Sequence, residues 1–127
     1  KIKEINNGGI SVKTLLFNLQ DVAYLEKVFI ENKISKVFHA AAYKHVTLVE
    51  CNPIQGILNN VFSTKSVCDA AKKSFVKQIL LVSSDKAVRP TNIMGVSKRI
   101  SELIIQAYAD EENKKKYKFN KNSFLNG

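Results

Sequence analysis

The sequence predicts an α/β fold, a doubly wound, Rossmann-like parallel sheet of which only part of a domain is present. Three observations predict it. Strand-like and helix-like segments alternate, the segments between strands are long enough for parallel crossovers, and one run, Ile79-Leu80-Leu81-Val82, is apolar without interruption. Strands covered on both faces lose the alternation of half-exposed ones, and parallel pairing needs a crossover of about a dozen residues or more. In such sheets ligands bind beyond the carboxyl ends of the strands, so the residues that follow each strand carry the most information.

Taken in order, residues 12–17 form a short β-rich run and are expected to be the first strand. Asn18-Leu19-Gln20-Asp21 then reads as a helix start, with Val22, Leu25, Val28 and Phe29 at helical spacing behind it. Val37-Phe38-His39-Ala40 is expected as a short buried strand. Asn52-Pro53 suits a helix start, Asn52 as cap, Pro53 at the first position and Gln55 where a capping box places it; Ile54, Ile57, Leu58, Val61 and Phe62 form the inner face. Residues 77–83 contain the apolar run and are expected as a central strand. A polar loop over 85–90 leads to a third amphipathic helix marked by Ile93, Val96, Ile100, Leu103, Ile104 and Ala107. The Lys- and Asn-rich stretch 110–127 is expected to be an irregular tail.

Composition narrows the function. The 127 residues fit one domain but are short for a complete cofactor-plus-substrate enzyme, so 1–127 is expected to be the central part of a catalytic domain. The net charge of +9 is scattered and Lys-heavy, with only Arg89 and Arg99 as guanidinium groups and no basic stripe interleaved with aromatics. That pattern speaks against nucleic acid and suits solvated surface. No apolar run approaches the ~20 residues that span a bilayer, so no membrane contact is expected from this segment. Cys51 and Cys68 are isolated thiols without metal-ligand spacing, so no metal is expected; they fit a reducing, cytoplasmic setting.

Three stretches hold the chemistry-bearing residues. Ser83-Ser84-Asp85-Lys86 sets hydroxyl, carboxyl and amine at the end of the apolar strand, where an acid and a base can act on neighbouring atoms of one substrate. Taken alone it also reads as a polar loop capping that strand. Met94-Gly95-Val96-Ser97-Lys98 places Met94 and Lys98 one turn apart on a helix face, and Gly95 is expected to let a cofactor or substrate approach the backbone. Phe38-His39-Ala40-Ala41-Ala42-Tyr43-Lys44-His45 follows a strand with three small residues, leaving room for something flat. Beyond them come hydrogen-bonding and positive groups suited to ribose or phosphate. A histidine in such a place can be a satisfied structural group or a catalyst.

Together and in this order, these stretches resemble the extended, nucleotide-sugar-modifying short-chain dehydrogenase/reductases. More narrowly they resemble the CapD-type polysaccharide biosynthesis proteins, UDP-N-acetylglucosamine 4,6-dehydratases. The matching text is Val37-Phe38-His39-Ala40-Ala41-Ala42-Tyr43-Lys44-His45, Asn52-Pro53, Asn59-Asn60-Val61-Phe62, and Val82-Ser83-Ser84-Asp85-Lys86-Ala87-Val88-Arg89-Pro90-Thr91-Asn92-Ile93-Met94-Gly95-Val96-Ser97-Lys98-Arg99. The resemblance implies NAD or NADP as cofactor, a UDP-sugar as substrate, a homo-oligomer, and a parent protein that acts in the cytoplasm. The spelling of residues 88–92 is similar to that of long, membrane-anchored members, which tend to retain configuration at C5, while the sequence leaves retention or inversion open.

Residue by residue, the resemblance implies Lys86 as the base at sugar C5, Asp85 as the acid for loss of the C6 hydroxyl, and Ser84 as the hydroxyl beside C4. Lys98 is implied at the nicotinamide ribose, and Met94 stands where most of the superfamily has its catalytic tyrosine. Asn18 and Leu19 fall at the adenine, Ala40, Ala41, Ala42 and Tyr43 along the dinucleotide, and Asn60 behind the active-site helix. Lys44, His45 and Asn92, with Ser84, fall on the substrate side. Two departures stand out: no glycine-rich loop follows a first strand, and residues 119–127 do not carry the family's Arg-Phe-Gly-Asn-Val-Leu segment.

Overall fold

A computed structural model describes residues 11–123, with side chains described for 11–113. Its elements are α1 (Val22–Glu31), β1 (Lys36–His39), α2 (Val46–Cys51), α3 (Pro53–Ile57), a π-helical segment (Leu58–Phe62), α4 (Ser63–Lys72), β2 (Gln78–Leu81), a 3-10 turn (Asp85–Ala87) and α5 (Ile93–Ser123). β1 and β2 pair in parallel, Val37 opposite Ile79 and His39 opposite Leu81. The helices between them form the crossover that a parallel pair requires.

α1 begins where Asp21 Oδ1 accepts the Tyr24 N–H at 2.9 Å, which satisfies one of the free amides of the first turn. Its apolar stripe delivers Leu25 and Phe29 onto Val67, Ala70 and Ala71 of α4, and Val37 and Ile79 of the strands close the cluster from below. Burial of side chains as large as Leu25 and Phe29 contributes about 1.5–3 kcal/mol each. Cys68 belongs to the same buried face of α4, and burial pushes its thiol up to about 11, as expected of a small hydrophobe without reactivity.

The structure departs from the sequence-based expectation at five places. Residues 12–17 form no strand: a ladder needs a partner, and none lies beside them among the described residues. An additional short helix, α2, precedes Asn52, whose amide turns back to donate to Leu48 O at 3.0 Å, so it gives α3 no side-chain cap. The helix after Pro53 widens into a π turn at 58–62. β2 is not covered on both faces: α1 and α4 cover the face of Val37 and Ile79, whereas Phe38 and Leu80 on the other are 71% and 48% exposed among the described residues.

Finally, the expected irregular tail is helical as far as Ser123. Its Lys, Glu and Asn content contains no Gly or Pro before Gly127 to interrupt the helix, and Lys and Glu are good helix formers. The last four residues of that expected tail, 124–127, lie outside the described residues. Among the described residues no helix is long and apolar enough to cross a membrane.

Because Leu25 is almost wholly enclosed by α4 and the strands, Leu25→Ala is expected to lower unfolding free energy by about 2–5 kcal/mol in urea denaturation.

Candidate active site

Asn60 occupies the middle of the site and is almost completely buried. Its carboxamide clamps the exit from β1, accepting the Tyr43 N–H at 2.7 Å and donating to Tyr43 O at 3.0 Å. The same amide nitrogen donates to Ser97 Oγ on α5 at 2.9 Å, and Ser97 in turn donates to Met94 O. In the π segment the backbone carbonyl of Asn60 accepts two hydroxyls, Thr64 Oγ1 from α4 and Ser101 Oγ from α5. A π turn frees a carbonyl from regular helical pairing, which suits it to such long-range acceptance. Every buried side-chain nitrogen and oxygen among the described residues has a partner.

His39, the last residue of β1, is buried against the cluster with its Nε2 3.0 Å from Thr64 Oγ1. Burial lowers its pKa, and the Lys98 charge lowers it further. Of the two roles open to a histidine at this strand end, the structure gives His39 a satisfied, buried position. His45 is exposed at the start of α2 and makes no side-chain cap.

β2 ends at Leu81, and Val82 O accepts the Lys98 ammonium at 3.0 Å. Lys98 is almost buried, and burial lowers its pKa while Glu102, one turn further along α5, raises it. Past Ser83, the hydroxyl of Ser84 opens the 3-10 turn: it accepts the Lys86 N–H and donates to Asp85 Oδ1 at 3.0 Å. Asp85 and Lys86 form an ion pair at 3.3 Å in which both side chains remain open, the carboxylate 86% exposed. The Ser84 hydroxyl and then Lys86 hold the Asp85 carboxyl below its ordinary range, so in the free chain it is a carboxylate.

α5 is seated over this turn by caps drawn from far apart. Asn92 Oδ1 accepts Gly95 N–H at 2.8 Å, and Glu50 Oε1 on α2 accepts Ile93 N–H at 2.5 Å. Gly95 is required by that seating: a Cβ there would lie 2.3 Å from Lys86 O and 3.3 Å from Pro90 Cβ. The space at Gly95, expected to admit a cofactor or substrate, is instead taken by the chain's own backbone at Lys86. Met94 is buried beside it, its thioether unable to accept a proton at neutral pH.

Thus the strand end 82–86, Met94, Lys98, Asn60 and Tyr43 are brought together. Ala40 and Ala41 lie exposed beyond β1, and Ala42, Tyr43, Lys44 and His45 line an apolar-walled cavity of about 570 Å³ with Leu48, Asn52 and Gln55. Asn18 and Leu19 stay apart: Asn18 closes a local turn by accepting Gln20 N–H, and Leu19 packs against the α1–α4 core. Asn92 spends its carboxamide oxygen on the helix cap. Sequence reasoning passed over Glu50, Glu102, Thr64 and Ser101, whose roles depend on partners distant in the chain. Among the described residues no three His, Cys, Asp or Glu side chains gather where a metal could sit.

A parallel strand pair with its polar constellation at the carboxyl edge, roofed by the next helix, is a partial Rossmann-like fold, and its structural neighbours place it among the short-chain dehydrogenase/reductases. The chain superposes on UDP-glucose 4-epimerase from Bifidobacterium longum, solved in complex with NAD+ and UDP, with a TM-score of 0.76 and 30% identity. The match covers 84% of this chain and 36% of that one.

Residues 1–126 match the polysaccharide biosynthesis protein family, and the chain belongs to it. It is 41% identical over 100 residues to the capsular polysaccharide biosynthesis protein CapD of Staphylococcus aureus, covering 79% of this chain and 17% of that protein. It is also 36% identical over 83 residues to an inverting UDP-N-acetylglucosamine 4,6-dehydratase of Campylobacter jejuni, covering 65% of this chain and 25% of that enzyme. The chain therefore spans well under half the length of the relatives it matches.

Asn60→Ala removes one acceptor and two donated bonds at a buried junction and is expected to cost about 3 kcal/mol in denaturant unfolding. His39 gives a second expectation. Its folded pKa lies below the ordinary 6.5, so the unfolded chain binds the proton first as pH falls. The stability His39 contributes is whole above 6.5 and is lost progressively below it, down through the lowered folded value. Urea midpoints from pH 8 to pH 5 should fall less steeply in His39→Gln than in the natural chain.

Proposed function

We propose that the protein carrying this chain is an NAD(P)-dependent UDP-N-acetylhexosamine 4,6-dehydratase that forms a UDP-4-keto-6-deoxy-hexosamine for polysaccharide synthesis. The observation that carries the reading is the division of labour at the strand end. The helix position facing the site offers a buried thioether at Met94, whereas a carboxylate and an amine 3.3 Å apart stand open at Asp85 and Lys86. A site that works by elimination needs an acid and a base on adjacent carbons. One that only oxidises and reduces a single carbon needs a single proton-transfer group, at the hydroxyl of that carbon.

The residues present fit a dinucleotide. Lys98 is a nearly buried ammonium with a single acceptor, Val82 O, among the described residues, and a ribose diol offers the further oxygens that such a donor needs. Ala40, Ala41 and Ala42 present little side chain at the carboxyl end of β1, where a flat group can lie close, with Tyr43 beyond them. Lys98, the three alanines, Tyr43 and Asn60 would hold the cofactor, with Asn18 and Leu19 towards the adenine. NAD or NADP, when bound, supplies a hydride acceptor and donor for the sugar.

The chain's own residues do the rest. Ser84 accepts the C4 hydroxyl proton and passes its own to Asp85 Oδ1. Lys86, as the free amine, takes the proton from C5 and returns it there after elimination. Asp85 gives its proton to the C6 hydroxyl, which leaves as water. Enclosure by substrate must first raise the Asp85 pKa, which its neighbours hold low in the open site. Lys44 and His45, lining the cavity beyond β1, attract the diphosphate, and Asn92 borders the sugar. On this reading the protein acts in the cytoplasm and as a homo-oligomer. A UDP-glucose 4-epimerase reading draws on the Bifidobacterium longum structure, and it predicts no change of substrate mass.

Supplied with UDP-N-acetylglucosamine, the protein is expected to release one water per turnover, read by mass spectrometry of the sugar nucleotide. An unchanged mass with a changed C4 configuration would replace the dehydratase reading with the epimerase one. In deuterated water, Lys86→Ala should slow deuterium entry at C5 by about 10²–10⁴-fold.

A further inference from the structure

Glu102 lies outside the constellation described so far, yet it is joined to both halves of it. Its Oε1 accepts the Ser83 hydroxyl, and its Oε2 accepts Arg99 Nη1 at 2.8 Å. Ser83 is the residue between Val82, whose carbonyl receives Lys98, and Ser84, which opens the turn bearing Asp85 and Lys86. Lys98 and Glu102 are four residues apart on α5 and share a face. One carboxylate therefore ties the exit of β2 to the helix that carries Lys98, while Arg99 fixes the rotamer of that carboxylate. The Glu102 side chain is only 29% exposed, so water competes weakly for it.

We propose that Glu102 is a positioning residue: by holding Ser83, it sets the register between the strand-end segment Ser84-Asp85-Lys86 and Lys98. The alternative tethers are few. Between Leu81 and the 3-10 turn the backbone is irregular, and its other fixed points, the Val82 N–H bond to His39 O at 2.9 Å and the Lys98 bond to Val82 O, both lie at Val82, before Ser83. Without Glu102, Ser83 loses its side-chain partner, and the Asp85–Lys86 turn is left to the buried Ala87 and the approach of Gly95 to Lys86 O, neither of which directs the strand-end side chains. Its Ser83 and Arg99 hydrogen bonds also keep the Glu102 carboxyl ionised below its ordinary range, so the tether persists through the neutral and mildly acidic range.

The kinetic part of this inference rests on the dehydratase reading, and the test separates the two. In the whole protein with its cofactor, Glu102→Ala should lower kcat for dehydration of UDP-N-acetylglucosamine about 10-fold or more, with KM within about 2-fold, because misplacement acts on the reacting geometry and not on sugar binding. Glu102→Gln keeps an oxygen for Ser83 and should recover most of the rate. Ser83→Ala should behave like Glu102→Ala, and the double variant should be no slower than either, since both remove one bond.

Backbone amide exchange provides a readout independent of activity. Exchange at residues 83–87 should quicken in Glu102→Ala and Ser83→Ala while α1 and α4 stay protected. Unchanged exchange and kcat, losses that multiply in the double variant, or loosening throughout the fold would each overturn the proposal. If the natural protein leaves the sugar intact, the dehydratase reading falls, and the exchange comparison still decides on Glu102. Should Glu102→Ala fail to fold, Ser83→Ala tests the same hydrogen bond from its other end, with the same outcomes for and against.

Discussion

The site depends on the hydrogen bonds of one buried residue, Asn60. Its carboxamide reaches forward to the loop leaving β1 and sideways to α5, and its backbone carbonyl takes hydroxyls from α4 and α5. A buried amide costs free energy unless all its groups are paired, and here the pairing is complete. The consequence is geometric as much as energetic. Tyr43, Ser97 and Ser101 belong to segments that no apolar contact alone would hold in register, because apolar packing is tolerant of small slides whereas a carboxamide with three directed bonds is not. Ser97 and Ser101 are i, i+4 neighbours on α5, so Asn60 grips that helix along a single stripe.

Around this junction, two kinds of force divide the work. Apolar burial of α1 against α4 and the Val37/Ile79 face builds the platform and is indifferent to the chemistry above it. At the carboxyl edge, directed bonds take over: Glu50 and Asn92 cap α5, Lys98 reaches Val82 O, and Glu102 reaches Ser83. Gly95 sits at the meeting of the two, since the helix can be pulled down onto the Lys86 carbonyl only if nothing projects from that position. The open polar groups, Asp85 and Lys86, are thus displayed by a support that is itself almost fully satisfied.

Much of the fold was legible in the sequence because its signals are local. The periodicity behind α1 and α5, the short apolar runs of β1 and β2, and their parallel order need only neighbouring residues to be read; the inner face expected after Pro53 is less faithful, since Ile54 and Phe62 are exposed. Residues 12–17 misled because β-rich composition cannot supply a ladder partner, and α2 went unseen because Val46–Cys51 is too short to show a period. The stretch after Asp110 looked irregular because it lacks an apolar stripe, yet helix propensity alone carries the backbone to Ser123. At the site, Ser84, Asp85, Lys86, Met94 and Lys98 could be picked out by their order. Glu50 and Glu102 could not, since their partners lie 43 and 19 residues away and a glutamate on a helix ordinarily signals solvent.

The π segment at 58–62 has a further consequence. It is equivalent to a single residue added to an otherwise continuous helix, and one residue advances the helical phase by about 100°. The stripe that begins with Gly56, packed on Val49, therefore does not continue straight into the stripe of Val67, Ala70 and Ala71 that meets α1. Helices 53–57 and 63–72 can face different neighbours although no break separates them. A chain shortened by one residue anywhere in 58–62 would keep every side chain needed for both interfaces and yet be unable to present them together. Sequence length there is a constraint as strict as residue identity.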